Sequence, residues 1–109
     1  MLKPRTHPRL TVEFELTVHV AERILAARSY QLGGGGMAFS GATELQISQP
    51  IELRFQLPDG PAVSIPAIVW WKEKGLVGVR FDVSSPQRDA VERWVRERLE
   101  DASFFAKPI

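Results

Sequence analysis

From Leu10 to Val20 every second residue is apolar. Leu10, Val12, Phe14, Leu16, Val18 and Val20 share one face; Thr11, Glu13, Glu15, Thr17 and His19 share the other. A period of two with a polar outer face predicts a half-buried β-strand. A strand of that length implies a barrel or a strongly bent sheet, because a flat sheet would leave long edges exposed. Further strands are expected at Ile24–Tyr30, around Met37-Ala38-Phe39, at Ile51–Leu57, at Val63–Trp71 and at Val77–Phe81. Pro66, inside one of them, lacks an N–H and predicts a local edge or a bulge. Pro58-Asp59-Gly60 and Lys74-Gly75 are turns: proline presets φ and glycine accepts positive φ.

The period then changes. Ala90, Val91, Trp94, Val95 and Leu99 form an apolar stripe at helical spacing. Ser84 or Ser85 caps this helix, Pro86 suits its first turn, and Ser84 with Gln87 has capping-box spacing. The opposite face, with Arg88, Glu92, Arg93, Arg96, Glu97 and Arg98, reads as a solvated surface of i,i+4 pairs. Six or so antiparallel strands and one helix predict an all-β fold with a C-terminal helix, built as a small antiparallel barrel. The expected organisation is an arginine-bearing N-terminal segment (residues 1–9), a barrel plus helix (10–101) and a loose tail (102–109), where Phe104 and Phe105 are able to pack back.

Composition narrows the function. There is no cysteine, so a disulfide scaffold, a thiolate metal site and a cysteine nucleophile are excluded. The longest apolar run, Ala67–Trp71, is far short of the roughly 20 residues a membrane helix needs. No signal-like stretch begins the chain. A cytoplasmic protein without membrane insertion is expected. Fourteen basic against thirteen acidic residues argue against nonspecific coating of nucleic acid. His7 and His19 have no partner at metal-ligand spacing, and no nucleophile elbow or phosphate loop occurs. Neither an enzyme nor a bound cofactor is expected. Trp70 and Trp71, adjacent in one strand, are expected on opposite faces. One belongs to the core; the other is a stacking surface, a partner contact or a ring under the helix.

Two features suit an anion. Arg5 and Arg9, spaced R-x-x-x-R, offer planar forks of donors that match phosphate oxygens and the guanine O6/N7 edge. The stretch from Gln31 to Gly36 reads as a glycine loop whose backbone N–H groups converge on a negative charge. Their order is distinctive: the arginine pair precedes the first strand, the glycine loop follows the second, and Val77-Gly78-Val79-Arg80-Phe81 leads into the helix. From Arg5 to Leu99 this order resembles the PilZ domain family of bacteria.

The resemblance implies a six-stranded antiparallel PilZ-like β-barrel and, as ligand, the second messenger cyclic di-GMP. Family members carry R-x-x-x-R before the first strand and D/N-x-S-x-x-G after the second. By the resemblance Arg5 and Arg9 hold phosphates and guanine edges, and Gly36 is the final glycine of the second motif. Gln31 stands where the family has Asp or Asn, and Gly33 where it has Ser, so one charge and one hydroxyl are missing. Arg80, outward between Val79 and Phe81, is a candidate third guanidinium contact. The implied role is a receptor or adaptor that relays cyclic di-GMP to a protein partner; a PilZ-like adaptor without the ligand is the alternative. Monomer and homodimer both stay open.

Overall fold

The computed structural model describes residues 9–106, with side chains through residue 100. Seven strands precede one helix: β1 (Arg9–Thr11), β2 (Glu15–Val20), β3 (Arg23–Gly33), β4 (Gly36–Gly41), β5 (Pro50–Gln56), β6 (Ala62–Glu73), β7 (Leu76–Phe81) and α1 (Gln87–Ala106). Strands β2, β5, β6, β7, β4 and β3 pair antiparallel in that order, and β3 returns to β2, closing a six-stranded barrel. Closure satisfies the edges that an open sheet would expose. The extra strand, β1, pairs with β3 beyond the end of β2.

The long alternating segment is therefore two strands placed end to end along β3. Its inward parity holds: Phe14, Leu16, Val18 and Val20 are buried, and Leu10 and Val12 pack against the same core. Its pairing does not run unbroken. Thr11 faces Gln31 and Glu15 faces Arg28, so four steps on one strand oppose three on the other. Ser29, only 3% exposed, fills the gap. Its hydroxyl accepts from the Phe14 N–H at 2.8 Å and donates to the Val12 carbonyl at 2.6 Å. It does for the bulge what a backbone ladder does elsewhere. Ser29→Ala leaves that buried N–H without a partner, and each such loss costs about 1–3 kcal/mol. The expected result is a fall in Tm of roughly 10 °C, read by thermal denaturation.

The interior is filled by Val18, Leu32, Phe39, Leu53, Ile65, Val69 and Val77, with the Phe14 and Phe55 rings 5.2 Å apart. Helix α1 adds Val91, Trp94 and Val95 to the same core, as its stripe predicts. Ser85 is the cap: its Oγ accepts from the Gln87 N–H at 3.3 Å. Ser84 is engaged instead with Asp82, donating from both N and Oγ to Oδ1, so the capping box does not form. The two hydrogen bonds from Ser84, backbone first, hold the Asp82 carboxyl below its ordinary value. The helix runs to Ala106, through most of the expected tail.

Pro66 sits where β7 has just ended. Its carbonyl accepts from the Asp82 N–H, one residue past Phe81, so its missing donor interrupts no ladder. Lys74 and Gly75 both have positive φ, as a two-residue hairpin turn needs. In the Pro58 turn the positive φ falls on Asp59 instead of the glycine. Gly60 serves close approach: a Cβ there would stand 2.7 Å from Trp94 Cδ1.

Candidate functional site

Cross-strand register collects the candidate residues on one outer face. Inward residues Leu10, Leu32, Met37 and Val79 belong to the core, so their sequence neighbours point out. One outward row runs Arg9–Gly33–Gly36–Arg80–Ile68 across β1, β3, β4, β7 and β6. The next row runs Thr11–Gln31–Ala38–Gly78–Trp71 across the same strands. Gly36 and Arg80, 44 positions apart in the chain, thus become direct neighbours, and Arg9, 71 positions before Arg80, joins the same row. Neighbouring strands lie about 4.8 Å apart, so Arg9 and Arg80 stand roughly 14 Å apart along the sheet. Neither row contains a carboxylate, and between the two guanidinium-bearing positions lie only glycines, Gln31 and Ala38. That pattern suits an elongated anion lying across the strands. Arg5 lies outside the described residues.

The expected glycine loop is not a loop. Gln31 and Gly33 belong to β3, Gly36 opens β4, and only Gly34 and Gly35 turn. The chain needs its glycines here for close approach. A Cβ on Gly36 would stand 2.1 Å from the Val79 carbonyl oxygen of β7, and one on Gly34 would stand 2.8 Å from Glu92 Cβ of α1. The helix is also hydrogen-bonded to the turn: Arg88 Nε donates to the Gly34 carbonyl at 3.2 Å and its Nη1 to the Val83 carbonyl at 3.3 Å. Gly35 is fixed from the other side, its carbonyl accepting from the Phe81 N–H at 2.9 Å. Because their amides sit in a ladder, Gln31 and Gly33 offer a ligand chiefly what projects from the sheet face, which for Gly33 is no side chain at all.

The tryptophan pair also departs from expectation. The β6–β7 register shifts between Val69 and Trp71, so Trp70 is a bulge residue. A bulge adds one residue and re-aims a side chain. Both rings consequently lie on the outer face, not one inside the barrel. Trp71 lies across Gly78: a Cβ there would stand 2.0 Å from Trp71 Cε2. Trp70 remains 55% exposed, with the Arg80 guanidinium 4.4 Å from its ring centroid. Arg80 points outward as expected, and its neighbour is this ring.

Other features lie apart from the rows. An open groove of about 520 Å³ runs over β2, β3 and β5, lined among others by Glu15, Thr17, Arg28, Ser40 and Arg54. Its arginines face carboxylates, Arg28 with Glu13 at 3.7 Å and Arg54 with Glu52 at 2.7 Å. His19 Nε2 lies 3.0 Å from Thr17 Oγ1 on an outer strand face. Sequence reasoning missed Arg88 and Glu92 as neighbours of the glycine turn. The signal was the unbroken glycine run itself, which marks a place where another element passes close.

Known proteins share this fold. The PilZ domain family model matches residues 3–97. No curated protein sequence matches significantly. Among solved structures, YcgR from Escherichia coli in complex with c-di-GMP superposes with a TM-score of 0.81 at 20% identity, covering 96% of this chain and 50% of that one. The PilZ domain of CeSA from a cellulose-synthesizing bacterium gives 0.68 at 23% identity, covering 84% and 98%. The Bacillus subtilis inhibitor of motility MotI/DgrA gives 0.74 at 17% identity, covering 92% and 53%. The chain thus spans about half of YcgR and of MotI/DgrA. With the closed barrel, the terminal helix and a match over nearly its whole length, the chain belongs to the PilZ domain family.

Proposed function

We propose that the chain is a receptor for cyclic di-GMP that passes the ligand's arrival to a protein partner. The observation that supports this best is the outward row Arg9–Gly33–Gly36–Arg80. Two motifs far apart in sequence meet on one face, with a guanidinium at each end of the row and no acidic residue at the row positions between them. Arg9, with Arg5 beside it in sequence, clamps phosphate oxygens and guanine edges through bidentate, charge-assisted bonds. Gln31 accepts from guanine N–H donors through its amide oxygen. Ligand held by Arg9 at the start of β1 changes the surface that this end of the barrel presents, and that change is what a partner reads.

Amide chemical-shift mapping locates the site. Cyclic di-GMP is expected to move the resonances of Thr11, Gly33, Gly36, Gly78 and Arg80 and to leave Thr17, Ala26 and Arg54 in the groove unmoved. Shifts confined to the groove would overturn the assignment.

A second reading keeps the fold and drops the ligand. Gln31 and Gly33 favour it, since the family's carboxylate and hydroxyl are missing there. Restoring both decides how much they matter. Gln31→Asp with Gly33→Ser adds a charged acceptor and a hydroxyl, worth about 2–3 kcal/mol together. Binding tightens at least about 30-fold, measured by titration calorimetry beside the wild type. No gain would mean that this part of the row does not touch the ligand.

A further inference from the structure

We infer that Arg88 is a positioning residue: it fastens the glycine turn beside the row to the start of α1, so that ligand binding and the docking of the helix strengthen one another. This rests on the receptor reading above and names the route by which occupancy of the row reaches the helix. Gly33 and Gly36 stand on the row, and Gly34 and Gly35 join them. Neither joining residue has a side chain, so the turn is fixed from outside. Among the described residues the positive-φ glycines are Gly41 and Gly75, so Gly34 is a glycine for space and not for backbone conformation.

The helix fills that space. One guanidinium holds two carbonyls from separate segments: Arg88 Nε donates to Gly34 at 3.2 Å and Nη1 to Val83 at 3.3 Å. A planar fork is preorganised for such a bridge, and a lysine ammonium is not. Glu92, one helical turn beyond Arg88, packs so near that a Cβ on Gly34 would stand 2.8 Å from the Glu92 Cβ. The Gly35 carbonyl accepts from the Phe81 N–H at 2.9 Å, and Phe81 directly follows Arg80 of the row. The turn, the end of β7, the connection through Val83 and the first turns of α1 therefore form one block. On the receptor reading, the ligand touches that block at Gly33, Gly36 and Arg80. Ordering one part of a contiguous block makes the rest easier to order, and the coupling is reciprocal.

Calorimetric titration with cyclic di-GMP and amide hydrogen exchange test this on the full chain, on Arg88→Ala and on Arg88→Lys. The amides of Val91 and Glu92, in the second turn of α1, report helix docking; that of Leu53, in the barrel interior, reports opening of the whole fold. In the wild type, saturating ligand slows exchange at Val91 and Glu92 about 5-fold or more beyond any slowing at Leu53. Without the tie the ligand itself has to order the turn, so Arg88→Ala binds about 5-fold or more weakly and loses the extra protection of the helix. Arg88→Lys keeps the positive charge but not the fork, so it too loses the extra protection. A wild-type chain that binds while its helix amides ignore the ligand overturns the inference. So does Arg88→Ala with wild-type affinity, or Arg88→Lys with both readouts restored, which would make Arg88 a charge near an anion and not a tie. Each of these leaves the receptor reading intact; a wild-type chain that does not bind overturns both. Melting curves show that each variant is folded at the temperature of titration, and the wild-type exchange result decides the matter without either variant.

Discussion

If the chain is the proposed receptor, Arg9→Ala is expected to remove cyclic di-GMP binding at ligand concentrations that saturate the wild-type chain, with the free variant melting within about 4 °C of wild type. The first half follows from chemistry. Hydrogen bonds to a charged partner contribute about 1.5–3 kcal/mol each, and a guanidinium makes two at once to phosphate or to a guanine edge. Losing both weakens binding by two or more powers of ten. The second half follows from position. Arg9 opens a three-residue strand and its side chain points to solvent, away from the core that Leu10 joins. Substitutions at such places stay within about 0.5 kcal/mol. A variant that binds as wild type would move the ligand elsewhere. A variant that unfolds would make Arg9 a structural residue.

Trp94→Ala carries the largest effect on stability. The ring is buried between α1 and the β5–β6 turn, and it is tied there at several points. Its Nε1–H donates to the Pro58 carbonyl at 3.1 Å, and Arg98 donates to the same carbonyl at 2.9 Å while lying 4.6 Å over the ring. Gly60 exists without a Cβ so that the turn can meet the ring. Truncation removes these contacts and leaves a cavity, at a cost of about 3–5 kcal/mol. The Tm drops by roughly 12–25 °C, followed by circular dichroism. Any ligand that binds only the folded chain recovers part of that loss by mass action. In Trp94→Ala, saturating cyclic di-GMP is therefore expected to raise the Tm by several degrees. A variant melting within 3 °C of wild type would mean that the helix is held by something other than this ring.

The parts legible in the sequence are those where parity and period stay intact. The alternation of β2, β5 and β7 identified their inward faces, and Val91, Trp94 and Val95 marked the buried side of α1. Arg9, Gly36 and Arg80 were singled out from spacing and resemblance, and register makes them members of one row. The misreadings share a cause. A one-residue insertion flips every later side chain, yet nothing in composition announces it. The bulge at Trp70 therefore brought two tryptophans to one face that strict alternation had put on two. The hydroxyl of Ser29 interrupted a run that looked continuous, because a serine on an inward position reads as a small core residue until its two partners are seen. Gly33 to Gly36 reads as an anion-binding loop because glycine signals either unusual φ or close approach. Only the neighbours Val79 and Glu92 decide for the second.

Isothermal titration of the purified chain with cyclic di-GMP, with GTP and cyclic di-AMP as controls, tests the receptor proposal most directly. The expected result is saturable heat with cyclic di-GMP alone, abolished in Arg9→Ala. A flat trace at high cyclic di-GMP, from a chain whose melting curve shows it folded, would contradict the proposal and leave a PilZ barrel that acts as an adaptor without this ligand.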